Sequence, residues 1–232
     1  MKSRFFLDAG TTWSKMLEVR EGAQDIYRVF PTSSVPEGLE FEKTTGHRAR
    51  TLNTREHVNE IVALATGAQE RIGANDIVID LGSRDVKWVK FKDGKFSDMD
   101  WNTACGSSTG ATVEMLLKFY NVKAGELKAV NEKYSVTCGI FALEKIMDDV
   151  SKGTRPAVAI SKFVHGLAFN AWNFTKNPKN LFISGGFCEN KCFMDSLNKY
   201  CEATPLGRFT LVYGLAADLS TQQNPTFNIQ AR

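Results

Sequence analysis

The pattern D-x-G-x-x-x-x-K occurs twice in this chain, as Asp8-Ala9-Gly10-Thr11-Thr12-Trp13-Ser14-Lys15 and as Asp80-Leu81-Gly82-Ser83-Arg84-Asp85-Val86-Lys87. Each copy follows an apolar run, Phe5–Leu7 or Ile77–Ile79, and leads into another strand. Either hairpin alone would read as an ordinary β-turn. Two matching acidic-glycine hairpins predict two related half-domains facing one phosphate chain. Glycine allows a sharp turn and lets backbone N–H groups approach an anion with no Cβ in the way. Thr11, Thr12 and Ser83 add hydroxyl donors. A carboxylate beside polyphosphate repels it unless a cation intervenes, so Asp8 and Asp80 imply Mg²⁺, which takes only one or two carboxylates and keeps several waters. Lys15 and Lys87 either neutralise phosphate charge or stand as solvated strand residues.

At 232 residues the chain accommodates one large or two modest domains. Its 43% apolar and 24% charged residues match a soluble globular protein. The net charge of +3 is spread without a basic stripe, which argues against nucleic acid as a partner. Only three consecutive apolar residues, Phe5–Leu7, stand between Arg4 and Asp8, so neither a signal peptide nor a membrane span is expected there. Five cysteines cannot all pair, and a reducing cytoplasm is the expected compartment.

Along the chain, Lys15–Val19 and Ile26–Phe30 read as strands joined at Glu21-Gly22, and Pro31 to Gly46 reads as loop. Asn53 and Glu56 resemble a capping box for a helix carrying Val58, Ile61, Val62 and Ala65, with Gly67 as its stop. Asp93-Gly94 marks a hairpin turn. Beyond Cys105 the pattern is mainly helical. Val113, Leu116, Leu117 and Tyr120 mark one buried face, and Ile140, Phe141, Ile146, Met147 and Val150 another. Ala157 to Phe174 reads as a third helix ending before Pro178. Leu181–Ser184 is a short strand, Glu189–Tyr200 a helix and Leu211–Leu219 the last one, before a poorly ordered tail, Thr221–Arg232.

Three further features carry chemistry. Ser184-Gly185-Gly186-Phe187 is a strand–glycine–helix junction that would let a flat ring such as adenine approach the backbone, although Gly-Gly often marks only a turn. Cys105 and Cys138 each precede a helix, where the positive end stabilises a thiolate or an anionic cluster. Two cysteines are half of a cubane's usual four, and a two-fold dimer would bring the other half. Taken alone, such a pair is more often two buried thiols. Cys188-x-x-x-Cys192 and Cys201 form no recognised ligand set, and His47, His57 and His165 form no ligand pattern.

In combination these motifs resemble the ATP-dependent activators of 2-hydroxyacyl-CoA dehydratases and the ATPase subunits of benzoyl-CoA reductases, within the superfamily of acetate and sugar kinases, actin and heat-shock chaperones. The family's D-x-G-S-T-x-x-K loop is similar to Asp8–Lys15, and its D-I-G-G-Q-D-x-K loop to Asp80–Lys87. Its C-A-A-G-T-G-x-x-x-E string resembles Cys105 through Thr109, Gly110 and Glu114. Its S-x-x-C-x-x-F-A context resembles Ser135 through Ala142, T-G-G-V-x-x-N resembles Ser184 to Asn190, and P-L-x-x-Y resembles Pro205 to Phe209. Departures are Arg84 in place of the family glutamine, Gly106 and Ser107 in place of two alanines, and Leu64 in place of a usual histidine. The chain also looks shorter than most relatives.

The resemblance implies an α/β fold of two ribonuclease H-like domains with a nucleotide cleft between them: residues 1–74 plus 212–232, and 75–211. It implies ATP/ADP with Mg²⁺ worked through Asp8 and Asp80. Phosphate would lie against Gly10, Thr11, Thr12, Lys15, Gly82, Ser83, Thr109 and Gly110, and adenosine against Gly185 and Gly186. It further implies a homodimer sharing one [4Fe–4S] cluster on Cys105 and Cys138, a low-potential donor such as ferredoxin or flavodoxin, and a separate iron–sulfur dehydratase or reductase as acceptor. Two alternatives remain on this fold: a small-molecule kinase, and a cluster-free chaperone-like ATPase.

Overall fold

The computed structural model describes residues 3–102, 109–136 and 139–220. Two five-stranded mixed sheets carry the fold. The first contains β1 (Ser3–Ala9), β2 (Trp13–Arg20), β3 (Ile26–Pro31), β4 (Phe41–Thr45) and β5 (Thr54–His57), in the order β3-β2-β1-β4-β5. The second contains β6 (Ile77–Leu81), β7 (Val86–Lys92), β8 (Lys95–Asn102), β9 (Asn180–Ser184) and β10 (Glu202–Gly207), in the order β10-β9-β6-β7-β8. The topologies coincide. In each sheet the first three strands form an antiparallel meander, and the fourth and fifth run parallel to the first. The half-domain relation expected from the repeated motif therefore extends through the entire strand order.

Each fifth strand leads to a helix: α1 (Glu60–Gln69) after β5, and α6 (Thr210–Ser220) after β10. These two helices pack together between the sheets. Ile61, Leu64, Leu211, Val212 and Leu215 share one core with Phe6 and Leu17 of the first sheet and Val78, Val89 and Phe91 of the second. The period-two alternation of the strands sends their other residues outward. Leu7, Ala9 and Met16 pack beneath Phe41 and Ala49. Ile79, Leu81 and Trp88 pack under α2 (Gly110–Phe119), α3 (Gly139–Ser151), α4 (Pro156–Phe174) and α5 (Lys191–Leu197). Pro156 opens α4 at its first helical position, where its fixed φ suits the helix and no N–H is missed.

Several expectations need correction. The cap of α1 is Asn59, whose Oδ1 accepts from Ile61 N at 2.8 Å, while Thr54–His57 is a strand. Gly67 lies inside α1 rather than ending it. Residues 31–46 contain β4, the Asp93-Gly94 turn joins β7 to β8 as expected of a hairpin, and β10 was not anticipated. Residues 186–189 form a 3-10 turn, so α5 starts only at Lys191. Phe141 and Met147 face solvent at 61% and 54% exposure, whereas Ala142 and Ile146 are buried. The tail Thr221–Arg232 lies outside the described residues, as do Cys105 and Cys138.

Candidate nucleotide cleft

The two hairpins are built alike to the level of register. Asp8 stands directly across from Lys15 in the β1–β2 pair, and Asp80 across from Lys87 in the β6–β7 pair. On its other side each aspartate is aligned with a hydroxyl residue of the parallel strand, Thr45 for Asp8 and Ser184 for Asp80. A glycine follows in both cases. Gly46 has φ +97° and Gly185 φ +85°, and a Cβ at either would sit 2.5 Å from the carbonyl oxygen of the residue after the aspartate, Ala9 or Leu81. Only glycine allows this backbone approach in that conformation. Sequence reading found Gly185 but missed Thr45-Gly46. Its signal was the small hydroxyl–glycine step that recurs at Ser184-Gly185.

Asp8 and Asp80 are both buried. Lys15 Nζ donates to Asp8 Oδ2 at 2.9 Å, and Ser184 Oγ donates to Asp80 Oδ1 at 2.7 Å. Burial pulls the Lys15 ammonium pKa down, but Asp8 and then Asp80 outweigh that and leave it raised. Lys15 of the first hairpin and Gly82 and Ser83 of the second line one cavity, so the two hairpins face one another. Lys87 is neither a phosphate ligand nor a solvated strand residue. It is sealed among carboxylates, bonded to Glu60 Oε2 and lying 3.5 Å from Asp80 Oδ2 and 3.4 Å from Asp85 Oδ1. Desolvation opposes its charge, and Asp80, Glu60 and Asp85 together raise its pKa well above the ordinary lysine value.

The turns themselves are fixed from behind. Thr32 holds the first, its Oγ1 donating to Gly10 O at 2.8 Å and its N–H to Thr12 O at 2.9 Å. The start of α2 holds the second: Gly110 N donates to Gly82 O at 3.3 Å, Ala111 N to Ser83 O at 3.1 Å, and Thr109 Oγ1 also to Ser83 O. The Gly110 amide is thus turned toward the hairpin rather than left free for an anion.

A cavity of ≈ 790 Å³ opens between the sheets. Of the anticipated residues, Lys15, Gly82, Ser83, Gly110 and Gly186 line it; Asp8, Gly10, Thr11, Thr12, Asp80, Thr109 and Gly185 do not. A Cβ on Gly186 would meet nothing within 4 Å, so the backbone there is open to an occupant. The far wall is apolar, with Val113, Leu117, Leu127 and Phe187, and its rim carries the Arg208–Glu189 ion pair. Two smaller recesses open at the opposite end of the second sheet, around Asn75 and Lys90. Among the described residues no group of three or more His, Cys, Asp or Glu side chains could hold a metal ion. Cys188, Cys192 and Cys201 are buried free thiols. Among the described residues no helix is long and apolar enough to cross a membrane.

No protein-family model matches the sequence. It is 23% identical over a 244-position alignment to the (R)-2-hydroxyglutaryl-CoA dehydratase activating ATPase of Acidaminococcus fermentans, covering 90% of this chain and 94% of that protein. The solved activator of the 2-hydroxyisocaproyl-CoA dehydratase from Clostridium difficile, with bound ADPNP, superposes with a TM-score of 0.78 at 19% identity, covering 99% of this chain and 100% of that one. The crystal structure of component A of the A. fermentans dehydratase gives 0.76 at 21% identity, covering 92% and 96%. In sequence over most of its length this chain is similar to a dehydratase-activating ATPase, and in fold over nearly all of it to the solved dehydratase activators, whose α/β architecture it shares.

Proposed function

We propose that this chain is an ATP-hydrolysing activator that delivers low-potential electrons to a separate iron–sulfur dehydratase. The observation that carries the reading is the pair of in-register Asp–Lys hairpins facing one open cleft whose wall is backbone at Gly82, Ser83 and Gly186. The first lobe is residues 1–74 with 212–232, and the second is 75–211.

A polyphosphate entering this cleft meets the charged Lys15 ammonium and the open backbone at Gly186. Behind Lys15 stand two buried carboxylates, Asp8 paired with Lys15 and Asp80 near Lys87, and a divalent cation between them and the phosphates would add to that neutralisation. Asp8 and Asp80 suit Mg²⁺, which needs one or two carboxylates beside water and phosphate oxygens. Mg²⁺ in that place would supply charge neutralisation at the phosphates. The apolar wall at Leu117, Leu127 and Phe187 suits the purine, with Gly186 at its edge.

Nucleotide state can act on distant residues only through contacts that differ between states. One such path is direct. Trp13 Nε1, at the tip of the first hairpin, donates to Glu114 Oε1 of α2 at 2.8 Å, and the start of α2 is bonded to the second hairpin. Cys105 precedes α2 and Cys138 precedes α3. These cysteines are the proposed ligands of one [4Fe–4S] cluster shared by two copies, which would carry the electron received from a ferredoxin or flavodoxin. Met115, Phe119, Phe141 and Met147, all exposed on α2 and α3, support a surface that a second copy covers. A reducing cytoplasm suits such a centre.

The deciding experiment is oxygen-free purification followed by iron counting, a visible spectrum before and after dithionite, and MgATP turnover. Iron bound at two cysteines per subunit in a dimer, lost in Cys105→Ser with nucleotide binding retained, is expected. A colourless, iron-free protein that phosphorylates a small molecule would replace this reading by a kinase.

A further inference from the structure

A second side-chain bridge joins the two lobes next to Ser83 of the cavity wall, and the nucleotide reading above gives it a role. Arg84 Nη1 donates to His47 Nε2 at 2.5 Å, joining the second hairpin to the loop after β4. Both partners are held beside the acidic motifs. His47 follows Gly46, which presses against the Ala9 carbonyl next to Asp8, and Arg48 N donates to that same carbonyl at 3.1 Å. Arg84 follows Ser83, whose carbonyl is bonded by Ala111 N and Thr109 Oγ1. Asp85, the carboxylate adjacent in sequence, is already engaged by Trp101 Nε1 at 2.8 Å and by Lys87. The guanidinium is therefore aimed at the other lobe instead of at its neighbour, and it is exposed, so moving it requires little desolvation.

We propose that Arg84 reads the terminal phosphate: it rests on His47 when the cleft is empty or holds a diphosphate, and it transfers to the γ-phosphate when a triphosphate binds. An imidazole that accepts from a guanidinium offers one neutral lone pair. A terminal phosphate offers formal charge and several oxygens in a geometry that matches the guanidinium fork, and such charge-assisted bonds are about twice as strong as neutral ones. A diphosphate lacks the group for which His47 is exchanged. The exchange also breaks a contact between the lobes, so the triphosphate and diphosphate states differ in what ties the first sheet to the second. This assigns Arg84 the role of discriminating triphosphate from diphosphate, and His47 the role of competing acceptor.

The inference rests on the cleft binding nucleotide, and the test separates the two. Calorimetric titration of the full chain with MgADPNP and MgADP is compared for wild type, Arg84→Gln and His47→Ala. Arg84→Gln is expected to lower the ADPNP-over-ADP preference about tenfold, as loss of one charged hydrogen bond does, while ADP affinity holds. His47→Ala is expected to tighten ADPNP binding several-fold with ADP unaffected, because the competing acceptor is gone; a purely structural bridge would instead weaken both ligands in both variants. An unchanged preference in Arg84→Gln, or parallel weakening of both nucleotides, overturns the role of Arg84 and leaves the cleft reading standing. A wild-type chain that binds neither nucleotide overturns both.

Discussion

Gly67 of α1 and Gly214 of α6 face each other where the helices cross between the sheets. A Cβ on Gly67 would lie 1.9 Å from Thr210 O, and one on Gly214 would lie 1.9 Å from Ala63 O. The crossing is thus backbone against backbone, and each lobe's core leans on it through Phe6 and Leu17 on one side and Val78 and Val89 on the other. Gly67→Ala or Gly214→Ala forces the helices apart. Overpacking of this kind typically costs about 1–3 kcal/mol. We expect a lowered urea midpoint in both variants and, since the helix pair sets the lobe separation, a changed nucleotide affinity. Wild-type stability in Gly67→Ala would show that the crossing relaxes freely.

Lys87 makes a separate prediction through charge. It is 2% exposed in its side chain and neutralises Asp80, Asp85 and Glu60. Burial, only partly offset by Lys87, already raises the Glu60 pKa. Lys87→Met leaves buried carboxylates without their cation, a loss of about 3–5 kcal/mol for a broken buried pair. A carboxyl whose folded pKa is raised binds its proton more tightly in the folded state, so stability falls as pH rises from the unfolded value through the folded one. The variant should therefore recover stability as pH is lowered from 7 toward 5. Denaturation at several pH values checks this, and a pH-independent deficit would rule out the charge explanation.

The three described cysteines are expected to be chemically silent. Burial, with Glu189 adding to it, pushes the Cys188 thiol up to about 11, and burial alone does the same for Cys201. Burial also raises the Cys192 thiol. At pH 8 a thiol with a pKa near 11 is roughly 0.1% thiolate, too little for fast alkylation. Iodoacetamide should label none of them in the native chain and all three after unfolding. Because the folded state holds these protons more tightly, stability falls as pH climbs from the ordinary thiol value toward 11. Rapid native labelling at Cys188 would place it in an exposed, reactive site instead.

The Asp–Lys hairpins were legible because their signals are local. Asp8 to Lys15 is one tight turn with an apolar strand before it, and the same holds for Asp80 to Lys87. Partners distant in sequence left weaker traces. Thr45-Gly46 was hidden because Pro36 and Gly38 made the whole segment read as loop. β8 is an exposed edge strand, KFSDMDWN, with no buried face to give period-two alternation, and only the Asp93-Gly94 turn marked it. β10 carries Pro205, which demotes a run to edge or non-strand, and β10 is indeed an edge. Asn53 competed with Asn59 for the α1 cap because both offer an Asx side chain ahead of an apolar stretch. Apolar spacing in α3 marked Phe141 and Met147 without saying which side of the helix meets the core. The inter-lobe pairs Trp13–Glu114 and Arg84–His47 depend on how two lobes meet, which no local pattern encodes.

The final prediction concerns acid. His165 Nδ1 donates to Glu132 O at 3.0 Å, which leaves Nε2 to accept from Tyr200 OH at 2.8 Å. The segment from Lys128 to Val136, leading toward Cys138, is fastened to α4 by this contact and by others along the same helix. Lys128 N donates to Ser161 Oγ at 3.2 Å, Tyr134 N to Lys162 O at 3.2 Å, and Asn170 Nδ2 to Val136 O at 2.6 Å. Burial lowers the His165 pKa; the Glu132 carbonyl opposes this, and Lys199 and Lys133 add to it. A histidine depressed in this way contributes stability that is present above its unfolded value and is lost as pH falls through the folded one. The strap should therefore loosen as pH falls below the ordinary histidine range. Hydrogen exchange at the Tyr134 amide, corrected for the intrinsic pH dependence of exchange, should accelerate across that window. Tyr200→Phe removes the donor that favours neutral Nε2, so the same transition should move to higher pH. Exchange that stays flat in the wild type, or a transition that Tyr200→Phe does not move, would mean that His165 is not the group that titrates.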